Sequence, residues 1–270
     1  MIFAHHTHVF PAEIRPDGTV ERLLKSMDSY GIDRAVCFPP FPYHMSQARM
    51  GNPNDWLQQE IATHGDRLVA FGALDPESRS APDEVRRLAG LGVRGIKLHP
   101  AAQRFRIDSE LARPFYEAAS EAQMVITFHT GVHDAPIELT RPALIDGLLF
   151  RYPGITVTLE HIGGRALREE AIGVIQNHRA FPRNPENPGR AYGGLTSVAA
   201  VPTAHPWYLG REGMTDMART IGAELLVFGL DYPYNPPGHF GRLVREIRQL
   251  PLPREKIDLI LGGNLSRLID

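Results

Sequence analysis

The sequence predicts a single-domain α/β protein, a (β/α)8 TIM barrel over residues 1–270. Eight short runs rich in Val, Ile and Phe alternate with helix-like segments from one end of the chain to the other. Several runs are continuously apolar, the pattern of parallel strands covered by helices on both faces. A length of 270 residues suits an α/β barrel folded as one domain. No Gly-x-Gly-x-x-Gly turn follows an early strand, which argues against an open dinucleotide-binding sheet.

Taken in order, the expected strands cover residues 2–9, 34–38, 68–74, 95–99, 124–129, 155–161, 194–199 and 225–230. The first helix is expected over 19–30, where Val20, Leu23, Leu24 and Met27 fall at helical spacing. Others follow over 82–91 behind the cap candidate Ser80 and over 110–121 behind Asp108. Residues 142–151, 165–177, 215–222 and 240–250 complete the set. Residues 181–190 read Phe-Pro-Arg-Asn-Pro-Glu-Asn-Pro-Gly-Arg, which suits neither helix nor strand. They are read as a surface loop on the face opposite the active site, offering a contact for a homo-oligomer.

Composition narrows the function classes. A hydrophobic fraction of 43% excludes disorder, and a net charge of -2 provides no basic surface for nucleic acid and no polybasic membrane anchor. No apolar run is long enough to span a bilayer, and His5 and His6 interrupt the apolar start that a secretion signal would need. The single cysteine, Cys37, falls within an expected strand and is read as a buried, inert thiol in a cytoplasmic protein.

The chemistry gathers at the strand ends, where a TIM barrel places its catalytic groups. His6 and His8 close the first strand, Lys97 and His99 the fourth, His129 the fifth, His161 the sixth and Asp231 the eighth. Residues two apart on a strand project to one side, so His6-Thr7-His8 can offer two imidazoles to one metal ion, with His5 facing away as a packing residue. An aspartate at a barrel mouth is costly unless it is paired or bound to a metal; the alternative for Asp231 is to cap the Tyr232-Pro233 turn. His44, His64, His133, His178, His205 and His239 receive no catalytic role, although His133 and His239 follow catalytic strands; Tyr232 and Tyr234 are candidates for a wall of the mouth.

These motifs resemble the amidohydrolase superfamily: His6-Thr7-His8, Gly95-Ile96-Lys97-Leu98-His99-Pro100, His129-Thr130-Gly131, His161-Ile162-Gly163 and Phe228-Gly229-Leu230-Asp231-Tyr232-Pro233. The nearer likeness is to the branch that includes aminocarboxymuconate-semialdehyde decarboxylase. It extends to Phe71-Gly72-Ala73-Leu74-Asp75-Pro76 and the closing Gly263-Asn264-Leu265-Ser266-Arg267-Leu268. The resemblance implies one divalent ion, Zn²⁺ foremost with Mn²⁺, Fe²⁺ or Co²⁺ as alternatives, held by His6, His8, His129 and Asp231. It also implies His161 and Asp231 as catalytic acid–base groups. Two positions depart from the pattern: Ala4 stands where many relatives carry an acid, and Leu230 where many carry serine.

The implied activity is a metal-dependent hydrolase, turning a metal-activated water on an amide, lactone or related carboxyl derivative. The alternative is a metal-dependent decarboxylase of an unsaturated or aromatic carboxylic acid, and the second alternative a non-catalytic ligand-binding barrel. In either enzyme the partner is a small molecule carrying a carboxylate, for which Lys97, His99, Arg104 and Arg106 are the candidate contacts. Lys97 is read as an unmodified lysine beside one metal, not as a carboxylated bridge between two.

Overall fold

The computed structural model describes residues 1–180 and 188–270. Its strands are β1 (Phe3–His8), β2 (Arg34–Phe38), β3 (Leu68–Ala70), β4 (Gly72–Ala73), β5 (Gly95–Leu98), β6 (Val125–His129), β7 (Thr156–Glu160), β8 (Ala191–Gly194), β9 (Leu226–Val227) and β10 (Gly229–Tyr232). All pair in parallel, in the orders β10-β1-β2-β3 and β4-β5-β6-β7-β8-β9. Only Phe71 separates β3 from β4, and only Phe228 separates β9 from β10. The two sheets therefore share both of these runs, and eight staves close into the barrel the sequence predicts.

Helices cover the outside. Val20–Tyr30 starts where Thr19 accepts from the Arg22 amide at 3.4 Å, stops at Gly31 in the left-handed region (φ 63), and buries Val20, Leu23 and Met27. Ser80 holds the cap position of Ala81–Gly90, but its hydroxyl pairs with that of Ser78. Asp108 does not cap: Ser109 precedes the short turn Glu110–Ala112 that leads into Arg113–Glu121, and Asp108 binds Arg106 instead. Two helices after β2, Pro42–Gln47 and Pro53–Glu60, were not expected from periodicity. Among the described residues no helix is long and apolar enough to cross a membrane.

The expected seventh strand is displaced. Residues 194–199 begin where the real strand, Ala191–Gly194, ends. The strand escapes a propensity reading because half of it is glycine: a Cβ on Gly194 would sit 2.5 Å from Glu160 Oε2, and one on Gly193 2.9 Å from Ile162 Cδ1. Thr196 and Ser197, read as strand, belong to the loop above it and reach the barrel mouth. Residues 181–187 of the predicted surface loop lie outside the described residues; after them, Gly189 bridges antiparallel to Arg179.

Candidate metal centre

β1 brings its histidines together through an irregular register. Between Ala4 and Thr7 it advances three residues while β2 advances two, and His6 takes a left-handed backbone (φ 60). That extra residue breaks the alternation assumed for His5. The expectation that His5 faces away is therefore corrected: it lies fully buried with its Nδ1 2.9 Å from Glu160 Oε1, and His6 Nδ1 lies 2.8 Å from Glu160 Oε2. The carboxylate that supports His6 thus comes from β7 across the barrel, while position 4 is alanine.

His6 Nε2 faces His8 Nε2 at 3.1 Å and Asp231 Oδ1 at 3.5 Å. Ligand atoms of His6, His8 and Asp231 all fall within 4.8 Å of one another, a spacing that one ion can draw together. Asp231 also has a left-handed backbone (φ 57), and its Oδ2 accepts from Ser197 Oγ at 3.2 Å, which in turn accepts from Asn235 Nδ2 at 2.6 Å. Left-handed non-glycine residues at His6, His161, Ser197 and Asp231 converge on this one mouth, where such strain marks functional positions.

His129 stands beside the trio, outside the 4.8 Å group, with its Nε2 buried and without a hydrogen-bond partner among the described residues. Its ring stacks on His99, centroids 3.9 Å apart and planes 7° from parallel, and meets His161 edge-on at 4.8 Å. The orphaned nitrogen, the clustered imidazoles and the carboxylate form a donor set suited to a divalent transition metal.

Burial lowers His6, His8 and His129 well below the usual imidazole range, which keeps them in the neutral form that binds metal. Burial works to raise Glu160, but its electrostatic and hydrogen-bonding interactions with the His5 and His6 rings outweigh it and hold the group well below the usual carboxylate range. Asp231 is pushed up to about 6 by burial, against the opposing charge of Lys97.

His161 is lowered to about 3, first by burial. Its Nδ1 lies 3.0 Å from the Thr196 carbonyl, which can only accept, so Nδ1 carries the proton and Nε2 is a bare acceptor. Lys97 is fully buried, its Nζ lacks a hydrogen-bond partner among the described residues, and burial lowers it to about 8 despite Glu160 and Asp231. His99 Nδ1 accepts from the Ala102 amide at 3.2 Å, leaving Nε2–H as a donor.

Other predicted contacts are not drawn into the cluster. Arg106 is engaged by Asp108 in a half-exposed ion pair, and Arg104 is an exposed left-handed residue ending Pro100–Gln103. Tyr234 meets His8 edge-on at 5.4 Å, whereas the Tyr232 hydroxyl turns to the Asp17 and Thr19 carbonyls and forms no wall. His133 lines the mouth against His99 and His129. Sequence reasoning missed Trp207, stacked on His161 at 4.0 Å, and the roles of Glu160, Thr196 and Ser197. Glu160 carried one available signal, an acid inside an apolar strand directly before His161.

The family model described as Amidohydrolase matches residues 3–269. No match is found among curated protein sequences. Among solved structures, 5-carboxyvanillate decarboxylase from Novosphingobium aromaticivorans, complexed with manganese and 4-hydroxy-3-methoxy-5-nitrobenzoic acid, is similar with a TM-score of 0.74. It is 17% identical, over 100% of this chain and 96% of that one. 2,6-Dihydroxybenzoate decarboxylase from Rhizobium has a TM-score of 0.72 at 18% identity, over 99% and 98%. A probable 2-pyrone-4,6-dicarboxylic acid hydrolase from Acinetobacter baumannii, with citric acid bound, has 0.68 at 14%, over 99% and 98%. At these identities the likenesses show the barrel fold.

Proposed function

The chain belongs to the amidohydrolase family, and from that premise we propose that it is a metal-dependent decarboxylase of an aromatic or unsaturated carboxylic acid. The sequence expectation led with hydrolysis; the site favours its alternative. The observation that carries this reading is Lys97, a buried amine with no hydrogen-bond partner among the described residues, inside the barrel that holds His6, His8 and Asp231. Such a group calls for an anion, and the imidazole and indole faces of His99, His129, His161 and Trp207 suit a planar one. The two solved decarboxylases with the same fold add support.

In this reading His6, His8, His129 and Asp231 hold one divalent ion, Zn²⁺ or Mn²⁺. When bound, the ion supplies Lewis acidity to a substrate oxygen. Lys97 holds the carboxylate by charge, and His99 donates from Nε2 to a second oxygen. His161 accepts a proton from a substrate hydroxyl at its bare Nε2. The bond between the ring carbon and the carboxylate breaks, carbon dioxide leaves, and the electron pair stays on carbon. Asp231, which takes up a proton from solvent as the substrate enters, delivers it to that carbon, and His161 returns the hydroxyl proton to its oxygen. His6, His8, Lys97, His129, His161 and Asp231 are all buried. A cytoplasmic setting is part of the same reading.

Hydrolysis of a carboxylated lactone or amide is the second reading, favoured by the bare Nε2 of His161, which can equally take a proton from water. The deciding experiment incubates metal-loaded and chelator-stripped protein with hydroxylated benzoates and with carboxylated lactones. Carbon dioxide release from the benzoates by the loaded form alone supports decarboxylation. Ring opening of lactones without it would replace the reading with hydrolysis.

A further inference from the structure

We propose that Glu160 is a positioning residue, which locks His6 in the Nδ1–H tautomer and so aims its Nε2 lone pair at the ligand group formed with His8 and Asp231. The inference rests on the metal reading above and deepens it. Glu160 lies at the end of β7 and is fully buried. Its two oxygens are divided: Oε1 accepts from His5 Nδ1 at 2.9 Å, and Oε2 from His6 Nδ1 at 2.8 Å and from the Thr196 hydroxyl.

Each Glu160 oxygen faces an imidazole Nδ1 within hydrogen-bonding distance, and Oε2 also takes the Thr196 hydroxyl, so the carboxylate is the acceptor throughout and both imidazoles carry their proton on Nδ1. For His6 this leaves Nε2 as an acceptor, turned toward His8 Nε2 and Asp231 Oδ1. In the metal-free protein His8 must then supply the hydrogen between the two Nε2 atoms. For His5 the same tautomer lets Nε2 accept from Thr127 Oγ1 at 3.2 Å, and Thr127 in turn accepts from Thr158 at 3.1 Å. His5 is thereby a brace: tied to β6 through Thr127, it pins the first carboxylate oxygen and leaves the second for His6.

The surrounding residues leave room for this arrangement. A Cβ on Gly194 would press on Glu160 Oε2, and one on Gly229 would collide with Thr196 Oγ1. Carboxylate partners of metal-binding histidines fix ring orientation and raise ligand basicity, and losing one typically costs about 10–100-fold in metal affinity.

The test has two arms. ¹⁵N NMR of the metal-free wild-type protein, with histidine assignments, should show His5 and His6 protonated on Nδ1; His6 protonated on Nε2 would overturn the assignment. Zn²⁺ affinity, measured by competition with a chromophoric chelator, should fall about 10–100-fold in Glu160→Gln, whose amide can accept from only one of the two rings. Affinity within twofold of wild type in a folded Glu160→Gln would equally overturn it. Should that variant fail to fold, the wild-type tautomers decide the matter. Wild-type protein that takes up no Zn²⁺ would defeat the metal reading itself, and the tautomers would then judge Glu160 independently.

Discussion

The indole of Trp207 lies on the imidazole of His161, with centroids 4.0 Å apart and planes 20° from parallel. Both rings are tethered: Trp207 Nε1 donates to the Val132 carbonyl at 3.0 Å, and His161 Nδ1 to the Thr196 carbonyl at 3.0 Å. The stack fixes the plane in which His161 presents Nε2. Aromatic pairs contribute about 0.5–1.5 kcal/mol beyond burial. Trp207→Leu should therefore lower turnover by up to about tenfold and leave metal content intact, as steady-state kinetics and elemental analysis would show. Unchanged kinetics would remove Trp207 from the site.

His161 makes its polar contact with a backbone carbonyl and stands outside the ligand group. His161→Ala should keep about the wild-type metal content while turnover falls roughly 10²–10⁴-fold, the usual worth of a positioned acid–base group. Loss of metal from this variant would reassign the residue as a ligand.

Lys97 gives the pH dependence. Its pKa is lowered to about 8, first by burial, so the ammonium is present below that pH and lost above it. Affinity for a carboxylated substrate should accordingly weaken as pH rises through about 8. In Lys97→Met the Michaelis constant should rise by about tenfold or more with metal retained, and this alkaline loss should disappear. A metal stoichiometry near two per chain, with loss of both ions from Lys97→Met, would instead identify a carboxylated bridging lysine.

Chelation should remove activity together with about one ion per chain, and Zn²⁺ or Mn²⁺ should restore it. His6→Ala, His8→Ala and Asp231→Ala should each prevent restoration. His129→Ala is the sharper case, because its orphaned Nε2 stands outside the tight trio. If it binds metal as wild type does, the ion is held by three residues alone.

Asn264, in the closing motif, is fully buried and donates to the Ala223 and Leu226 carbonyls at 2.7 Å each. It ties the C-terminal helix Asn264–Ile269 to the start of β9. Asn264→Leu strands both carbonyls and should cost about 1–3 kcal/mol in chemical denaturation. A stability equal to wild type would show that water replaces the amide.

The sequence by itself determined the barrel, the order of its staves and the strand ends whose polar residues meet at one mouth. Continuous apolar runs such as 225–228 point to buried parallel strands, and His6, His8, His129, His161 and Asp231 lie at or next to the ends of strands. What it could not supply was any feature set by contact across the barrel. Strict alternation turned His5 outward, whereas the register shift beside β2 turns it in, and a bulge depends on the neighbouring strand. The Gly-rich strand Ala191–Gly194 has little propensity of its own, because Gly194 answers to the bulk of Glu160 on β7 and Gly193 to that of Ile162 and Leu226. Trp207 reaches His161 from a loop 46 residues later in the numbering, beyond any local periodicity. Pattern along the chain specifies which residues are buried and where strands stop; which buried groups meet, and which proton each imidazole carries, is decided by partners that only closure of the barrel brings within hydrogen-bonding distance.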